Sequence, residues 1–431
     1  MKKHTPHNMK HPHRLSVRAL LPAILILLFV STALHWKLCA KYYDHSSAIQ
    51  LQSIEDDQRQ LVIVPSTPSH TSKIILPKYD KAMAAQAITR TDWICGDREP
   101  MTHDAHRPFV SFVHVYKTAG STLRDFFSKY ANLCRKSLMV IVSCTEVNPR
   151  ILKSGANLDK CRLKYVIDRR RNIIHHDEMP KEDRVYLTVN TTILQNNFDI
   201  LAGHYRIGML DSIFSTNMRH IVFLRQPQER YVSSILYRAK NQHSDHKAET
   251  VEGTAQYIKE NIFKARKKND YNESIFKYLL TPEQVETMRK KKKGEDKTME
   301  KTRLVIENLV HYNTIVGMTE RFSESMLILK HVLLPDEFSS EEREEYANEF
   351  FDEYTPSSSD ESEEVPRENV SQMGSISTSS VMAELKRDKA FMEQFVEFLK
   401  YEQIIVDFAL KMHHIQFDLV VIIIDAPNAT P

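Results

Sequence analysis

Strand-like and helix-like stretches alternate along the middle of the chain. Phe109 to Val115 (FVSFVHV) is apolar and rich in β-branched and aromatic residues, which predicts a buried strand. From Ser121 onward Leu123, Phe126, Phe127 and Tyr130 recur at helical spacing. Ile200-Leu201-Ala202 predicts a second short strand, ended by Gly203, and Ile221 to Leu224 a third. Pro227 suits the first turn of a helix on which Arg230, Ser233, Ser234 and Tyr237 share a face. Ile315 to Met318 is strand-like, and Phe322, Met326 and Leu329 then line one helix face. Residues 382–416 carry a long amphipathic pattern through Leu385, Phe395, Phe408 and Met412, and Val420 to Ile424 predicts a last strand.

The flanks have other patterns. Residues 1–18 hold Lys2, Lys3, Lys10, Arg14 and Arg18 and no acid. The apolar run Ala19 to Leu34 follows, with Trp36 at its end, close to the ~17 residues that span a bilayer. Basic residues before it predict a cytosolic tail (1–18), a signal-anchor (19–36) and a lumenal remainder. A cleaved signal peptide, cut near Ser31-Thr32-Ala33, is the alternative, and it also sends the chain into the secretory pathway. The tail histidines His4, His7, His11 and His13 read as solvated. Residues 37–105, with Pro65, Pro68 and Pro77, read as a stem, and 106–420 as one large α/β domain.

Charged stretches interrupt that domain. Residues 162–189 contain Arg169-Arg170-Arg171 and His175-His176, either a solvated face or a basic rim for an anionic partner. Residues 239–302 read as a flexible basic loop, with contact to a polyanion as the sharper account. Glu341 to Glu368, inside an insert at about 338–380, reads as a disordered acidic segment. The formal net charge of +3 gives no sign of a nucleic-acid partner. Cys39 borders the anchor, and Cys95, Cys134, Cys144 and Cys161 form an even lumenal set with its pairing open. The glycosylation triplets at Asn190, Asn272, Asn369 and Asn428 would be lumenal too.

Chemistry concentrates where the first strand meets its helix, at Tyr116-Lys117-Thr118-Ala119-Gly120-Ser121-Thr122. A tight strand-to-helix turn aims backbone N–H groups and the positive end of the helix dipole at one point. Gly120 would admit a phosphate to the backbone, Lys117 adds a charge, and Ser121 and Thr122 add hydroxyls. The nucleotide loop G-x-x-x-x-G-K-[ST] is absent, because Lys117 precedes the glycine. A second anion site follows at Arg225-x-Pro-x-Glu-Arg-x-x-Ser233, whose arginine offers a planar fork to phosphate. His204 stands at a strand end between the two motifs. The bland readings are an ordinary turn with a surface lysine and a histidine capping a strand.

The pattern His-x-x-Lys-Thr-Ala-Gly-Ser-Thr at 114–122 resembles the 5′-phosphosulfate loop of Golgi carbohydrate sulfotransferases, above all the heparan sulfate and uronyl 2-O- and 6-O-enzymes. The Arg225 motif is similar to their 3′-phosphate site, with Gln226 where the family usually has Asp. The likeness spans 109–237 and extends weakly to about 415, including Val316-Gly317-x-Thr319-Glu320-x-Phe322. It implies a P-loop-like sheet, parallel at its centre, with helices on both faces. It implies 3′-phosphoadenosine 5′-phosphosulfate (PAPS) as co-substrate, held by Lys117, Thr118, Ala119, Gly120, Ser121, Thr122, Arg225 and Ser233. It also implies His204 as base, no metal, and a glycan acceptor, expected to be polyanionic. The location expected is the Golgi membrane. His175, His176 and Glu178 compete for the role of base. A metal-independent glycosyltransferase is one rival, although the chain has no Asp-x-Asp; a non-catalytic glycan-binding relative is the other.

Overall fold

A computed structural model describes residues 62–63, 74–89, 109–143, 162–167, 173–175, 198–209, 211, 218–240, 250–267, 271–272, 274–291, 295–334, 341–354 and 376–425. All lie in one compact unit, Gln60–Pro431. The expected tail, anchor and most of the stem fall outside them, as do Arg169-Arg170-Arg171, His176, Glu178, Asn190, Asn369, Asn428 and four of the cysteines. Among the described residues no helix is long and apolar enough to cross a membrane.

The elements in chain order are β1 (Val62–Ile63), β2 (Ile74–Ile75), α1 (Lys81–Ala87), β3 (Phe109–Val113), α2 (Gly120–Leu133), β4 (Leu138–Ser143), β5 (Arg162–Ile167), β6 (Ile173–His175), β7 (Ile200–Gly203), β8 (Met218–Leu224), α3 (Pro227–Lys240), α4 (Val251–Lys267), α5 (Phe276–Leu279), α6 (Pro282–Arg289), α7 (Glu295–His311), β9 (Ile315–Met318), α8 (Phe322–Leu333), α9 (Glu341–Asp352), α10 (Thr378–Lys386) and α11 (Lys389–Asp425). β1 and β2 make a small antiparallel ribbon. The other seven strands form one sheet in the order β6-β5-β4-β7-β3-β8-β9. From β4 to β9 every neighbouring pair is parallel; β5 alone runs the other way, pairing antiparallel with both β4 and β6.

Successive strand residues point to opposite faces. On one face Phe109, Val113, Met139, Leu201, Val222, Leu224 and Val316 meet α7 and α11 through Val305, Leu309, Ile405 and Met412. On the other, Val110, Phe112, Val140, Ala202, Ile221, Phe223 and Ile315 meet α2, α8 and α9 through Phe126, Phe127, Met326 and Phe351. Both faces of the central strands are covered, so these strands read as continuous apolar runs and not as alternation.

Four expectations change. Residues 239–302 are not a loop but largely helix, α4 to α7. Ala255, Ile258 and Ile262 of α4 pack with Val232, Leu236, Leu385 and Phe395 in a third cluster, and the charges cover the solvent side. The acidic segment begins as helix α9, because Ala347, Phe350 and Phe351 are buried; residues 355–375 lie outside the described set. Val420–Ile424 is no strand but the end of α11, a helix of 37 residues. Val420 is buried in the second cluster at helical spacing from Phe417, and that packing outweighs the strand preference of a β-branched run. Finally, residues 74–89, placed in the stem by their sequence, join the domain: Leu76, Tyr79 and Ala84 lie in the first cluster.

Gln416 of α11 closes one edge of the sheet. Its Oε1 accepts from the Val316 N–H at 3.0 Å, and its Nε2 donates to the Thr314 carbonyl at 2.9 Å and to Tyr79 Oη at 2.8 Å. The free side of edge strand β9 is thereby occupied, and the segment before α1 is pinned beside it.

Candidate functional site

Three adjacent parallel strands set the geometry. Val113 of β3 is level with Gly203 of β7 on one side and with Val222 of β8 on the other. All three therefore end at one edge of the sheet, the carboxyl edge, where open α/β sheets bind ligands. His204 follows β7, Tyr116 to Ala119 follow β3, and Arg225 follows β8.

The turn after β3 is held by its backbone. Lys117 (φ 68°) and Ala119 (φ 59°) are left-handed, an uncommon and costly state for residues with a Cβ. The Thr118 hydroxyl is buried and donates to the Val115 carbonyl at 2.8 Å, closing the turn. Alternating backbone handedness of this kind makes a concave nest of N–H groups. Ala119, the N-cap of α2, contributes no side-chain cap, so the first N–H groups of the helix have no side-chain acceptor supplied by the cap. The turn and the helix start thus both present backbone N–H groups at the carboxyl edge of the sheet.

The loop side chains make these contacts. A Cβ on Gly120 would lie 1.6 Å from His114 Nε2, so the His114 ring by itself requires a glycine here. Thr118 spends its hydroxyl on the backbone. Ser121 Oγ accepts a long bond (3.4 Å) from Arg124, and Thr122 is buried.

Lys117 and Arg225 face one another across the β3–β8 boundary. The Lys117 Nζ sits 4.4 Å from the Tyr237 ring centroid and 5.9 Å from that of Tyr116. Burial, and after it the positive charges of Arg225 and Lys240, pulls its pKa down to about 8. Arg225 Nη2 donates to Glu229 at 3.0 Å, while its buried Nε finds no hydrogen-bond partner among the described residues and lies 4.0 Å from Glu320. Glu320 instead accepts the Gln226 N–H at 2.9 Å, so the residue that departs from the expected aspartate is tied down by its backbone. Thr319 donates to the Leu224 carbonyl at 3.0 Å, which makes it a strut between β8 and β9. Ser233 is enclosed, 2% exposed, two turns into α3. Arg230 is no anion ligand: it forks onto buried Glu402 and reaches Ser274 at 2.6 Å.

His204 Nδ1 lies 2.8 Å from the His114 carbonyl oxygen. A carbonyl only accepts, so Nδ1 carries the hydrogen, and in the neutral ring the lone pair is on Nε2. Burial first, with Arg124 and Lys277 adding to it, holds the His204 pKa down at about 4 against the partial support of that hydrogen bond. The ring stacks on His114 at 4.0 Å, beside Tyr278 at 5.5 Å and Tyr116 at 6.1 Å. His175 sits on β6, three strands away from β7, roughly 14 Å across the sheet at the usual strand spacing.

His114 is the residue whose role the sequence did not reveal. It is buried, its pKa is pushed well below the usual value by that burial, and its Nδ1 has no hydrogen-bond partner among the described residues. Its position as the first member of the 114–122 motif was the only available signal.

No known protein family, curated protein or solved structure matches this chain.

Proposed function

We propose that the chain is a PAPS-dependent carbohydrate sulfotransferase with a P-loop-like domain. One observation carries the reading. A lysine, an arginine and a neutral histidine of fixed tautomer stand at the carboxyl ends of three adjacent parallel strands, beside a helix start without a side-chain cap. The two cations and the N–H groups suit a nucleotide with phosphate at both ends, and the histidine suits a hydroxyl acceptor.

In the reaction the acceptor hydroxyl loses its proton to His204 Nε2 while its oxygen attacks sulfur. The bond between sulfur and the bridging oxygen of the 5′-phosphate breaks, and its electron pair leaves with adenosine 3′,5′-bisphosphate. Lys117 and the first N–H groups of α2 stabilise the charge that grows on that oxygen. Arg225 grips the 3′-phosphate, and Ser233 lies on the helix that follows it. The demands are those of in-line phosphoryl transfer, and no step calls for a metal. The acceptor is a glycan, and Arg124 and Lys277 beside His204 favour an anionic one. The setting is the Golgi lumen, with the N-terminal apolar run as a type II anchor.

The experiment is transfer of label from PAPS to a panel of glycosaminoglycans and their desulfated forms, followed by disaccharide analysis. Labelled product is expected on at least one of them. Bisphosphate binding without transfer would indicate a non-catalytic relative. Failure to bind PAPS or the bisphosphate would end the reading. Arg225→Ala should weaken the bisphosphate far more than adenosine 5′-phosphosulfate, which lacks the 3′-phosphate.

A further inference from the structure

Lys117 is a half-buried cation in unusual company. Among the described residues no carboxylate is paired with it. The charged groups that face it are Arg225 at the end of β8 and Lys240 in α3, and both repel it. Arg238, also in α3, adds positive charge beside Tyr116. The carboxylates beside Arg225, Glu229 and Glu320, are engaged on Arg225 and Gln226. Burial and like charge thus both favour the neutral amine.

Two rings oppose them. The Tyr237 centroid is 4.4 Å from Nζ and that of Tyr116 is 5.9 Å away; the rings meet edge to face at 5.5 Å. An aromatic face carries negative quadrupole charge and attracts an ammonium ion most strongly where water is scarce. Tyr237 lies one helical turn beyond Ser233, on the helix that begins after Arg225.

We propose that Tyr237, backed by Tyr116, is a positioning residue: an aromatic seat that keeps the Lys117 side chain charged and aimed over the carboxyl ends of β3 and β8. The seat lets two cations stand together before any anion arrives. A bound phosphate then takes over the neutralising role. Only the identity of that anion rests on the sulfotransferase reading.

The test compares full-length protein with Tyr237→Phe, which keeps the ring face, and Tyr237→Leu, which keeps an apolar cover without it. Tyr237 is 38% exposed, so both variants are expected to fold. The first measurement is tracer acetylation of Lys117 by acetic anhydride against pH, read by mass spectrometry. Wild type and Tyr237→Phe should share one midpoint, and Tyr237→Leu should fall below it by about one pH unit. An unchanged or higher midpoint in Tyr237→Leu overturns the seat. The second measurement is affinity for adenosine 3′,5′-bisphosphate against pH. At pH 6 all three proteins should agree within about twofold, and Tyr237→Leu should lose affinity about one unit earlier as pH rises. An equal loss at every pH would make Tyr237 a stacking platform and overturn the proposal. If wild type binds no bisphosphate, the sulfotransferase reading fails, while the labelling still judges the seat.

Discussion

His204 and Lys117 set opposite pH limits on the proposed reaction. The base must be neutral, and burial holds its pKa at about 4. The stabilising amine must be charged, and its pKa is about 8. kcat/KM should therefore fall as pH drops through about 4, fall again as pH rises through about 8, and stay flat between. Lys117→Arg should push the alkaline limb out of range, because guanidinium stays charged. An acid limb near 6.5 would show that the base is not this buried ring. His204→Ala should lower the transfer rate by ~10²-fold or more, with PAPS affinity near wild type, because the base acts only in the chemical step. A variant that kept most of its rate would return the search to other groups around the cleft. That Lys117, His204 and Arg225 stand just beyond strand ends was legible in the sequence, because each follows an apolar run within a few residues. His114 was not, because its place depends on a ring stacked against His204 and on the missing Cβ of Gly120, neither of which spacing encodes.

Among the elements, α3 and α11 are joined by the Arg230–Glu402 pair, with side chains 2% and 0% exposed. Asn272 donates to Glu402 Oε2 at 2.6 Å, and Ser274 accepts from Arg230 at 2.6 Å. Breaking a buried pair strands a charge, so Glu402→Leu should cost about 3–5 kcal/mol, whereas the double change Arg230→Met with Glu402→Leu should cost much less. Urea unfolding of the two variants checks this; equal losses would show that packing, and not the stranded charge, sets the cost. Elements were legible where a strand is buried on both faces, as in β3, β8 and β9. They were obscured where charge dominates, as in α4 and α7: the buried stripe of α4 is only Ala255, Ile258 and Ile262 within a strongly polar helix. α11 misled at its end because its last turn is β-branched and exposed, with Ile422 to Ile424 about half open to solvent.

At the scale of the whole molecule, the α/β class followed from alternating strands and helices, whereas the parallel centre of the sheet was implied by the resemblance. The domain's N-terminal limit did not, because Leu76, Tyr79 and Ala84 make too short an apolar pattern to separate from a stem. Closing the core has a consequence for acid. His220 on β8 and His413 on α11 are both enclosed, and burial lowers each to about 3; His204 stands at about 4, and His114 lies well below its usual value. In the unfolded chain each titrates near 6.5. Between that value and the folded pKa the unfolded state binds more protons, so stability rises with pH across the window. The contribution is fully present above about 6.5 and is lost as pH falls toward 4 and below. Urea midpoints should therefore drop from pH 7.5 to pH 5, with the m-value unchanged. His220 is the member to remove, because its ring lies 4.9 Å from Tyr312 near the opposite end of β8 from Arg225. His220→Phe keeps the aromatic contact and cannot take up a proton, so its midpoint should fall less over the same interval. A drop as steep as that of wild type would show that His220 is not among the groups that set the acid limit.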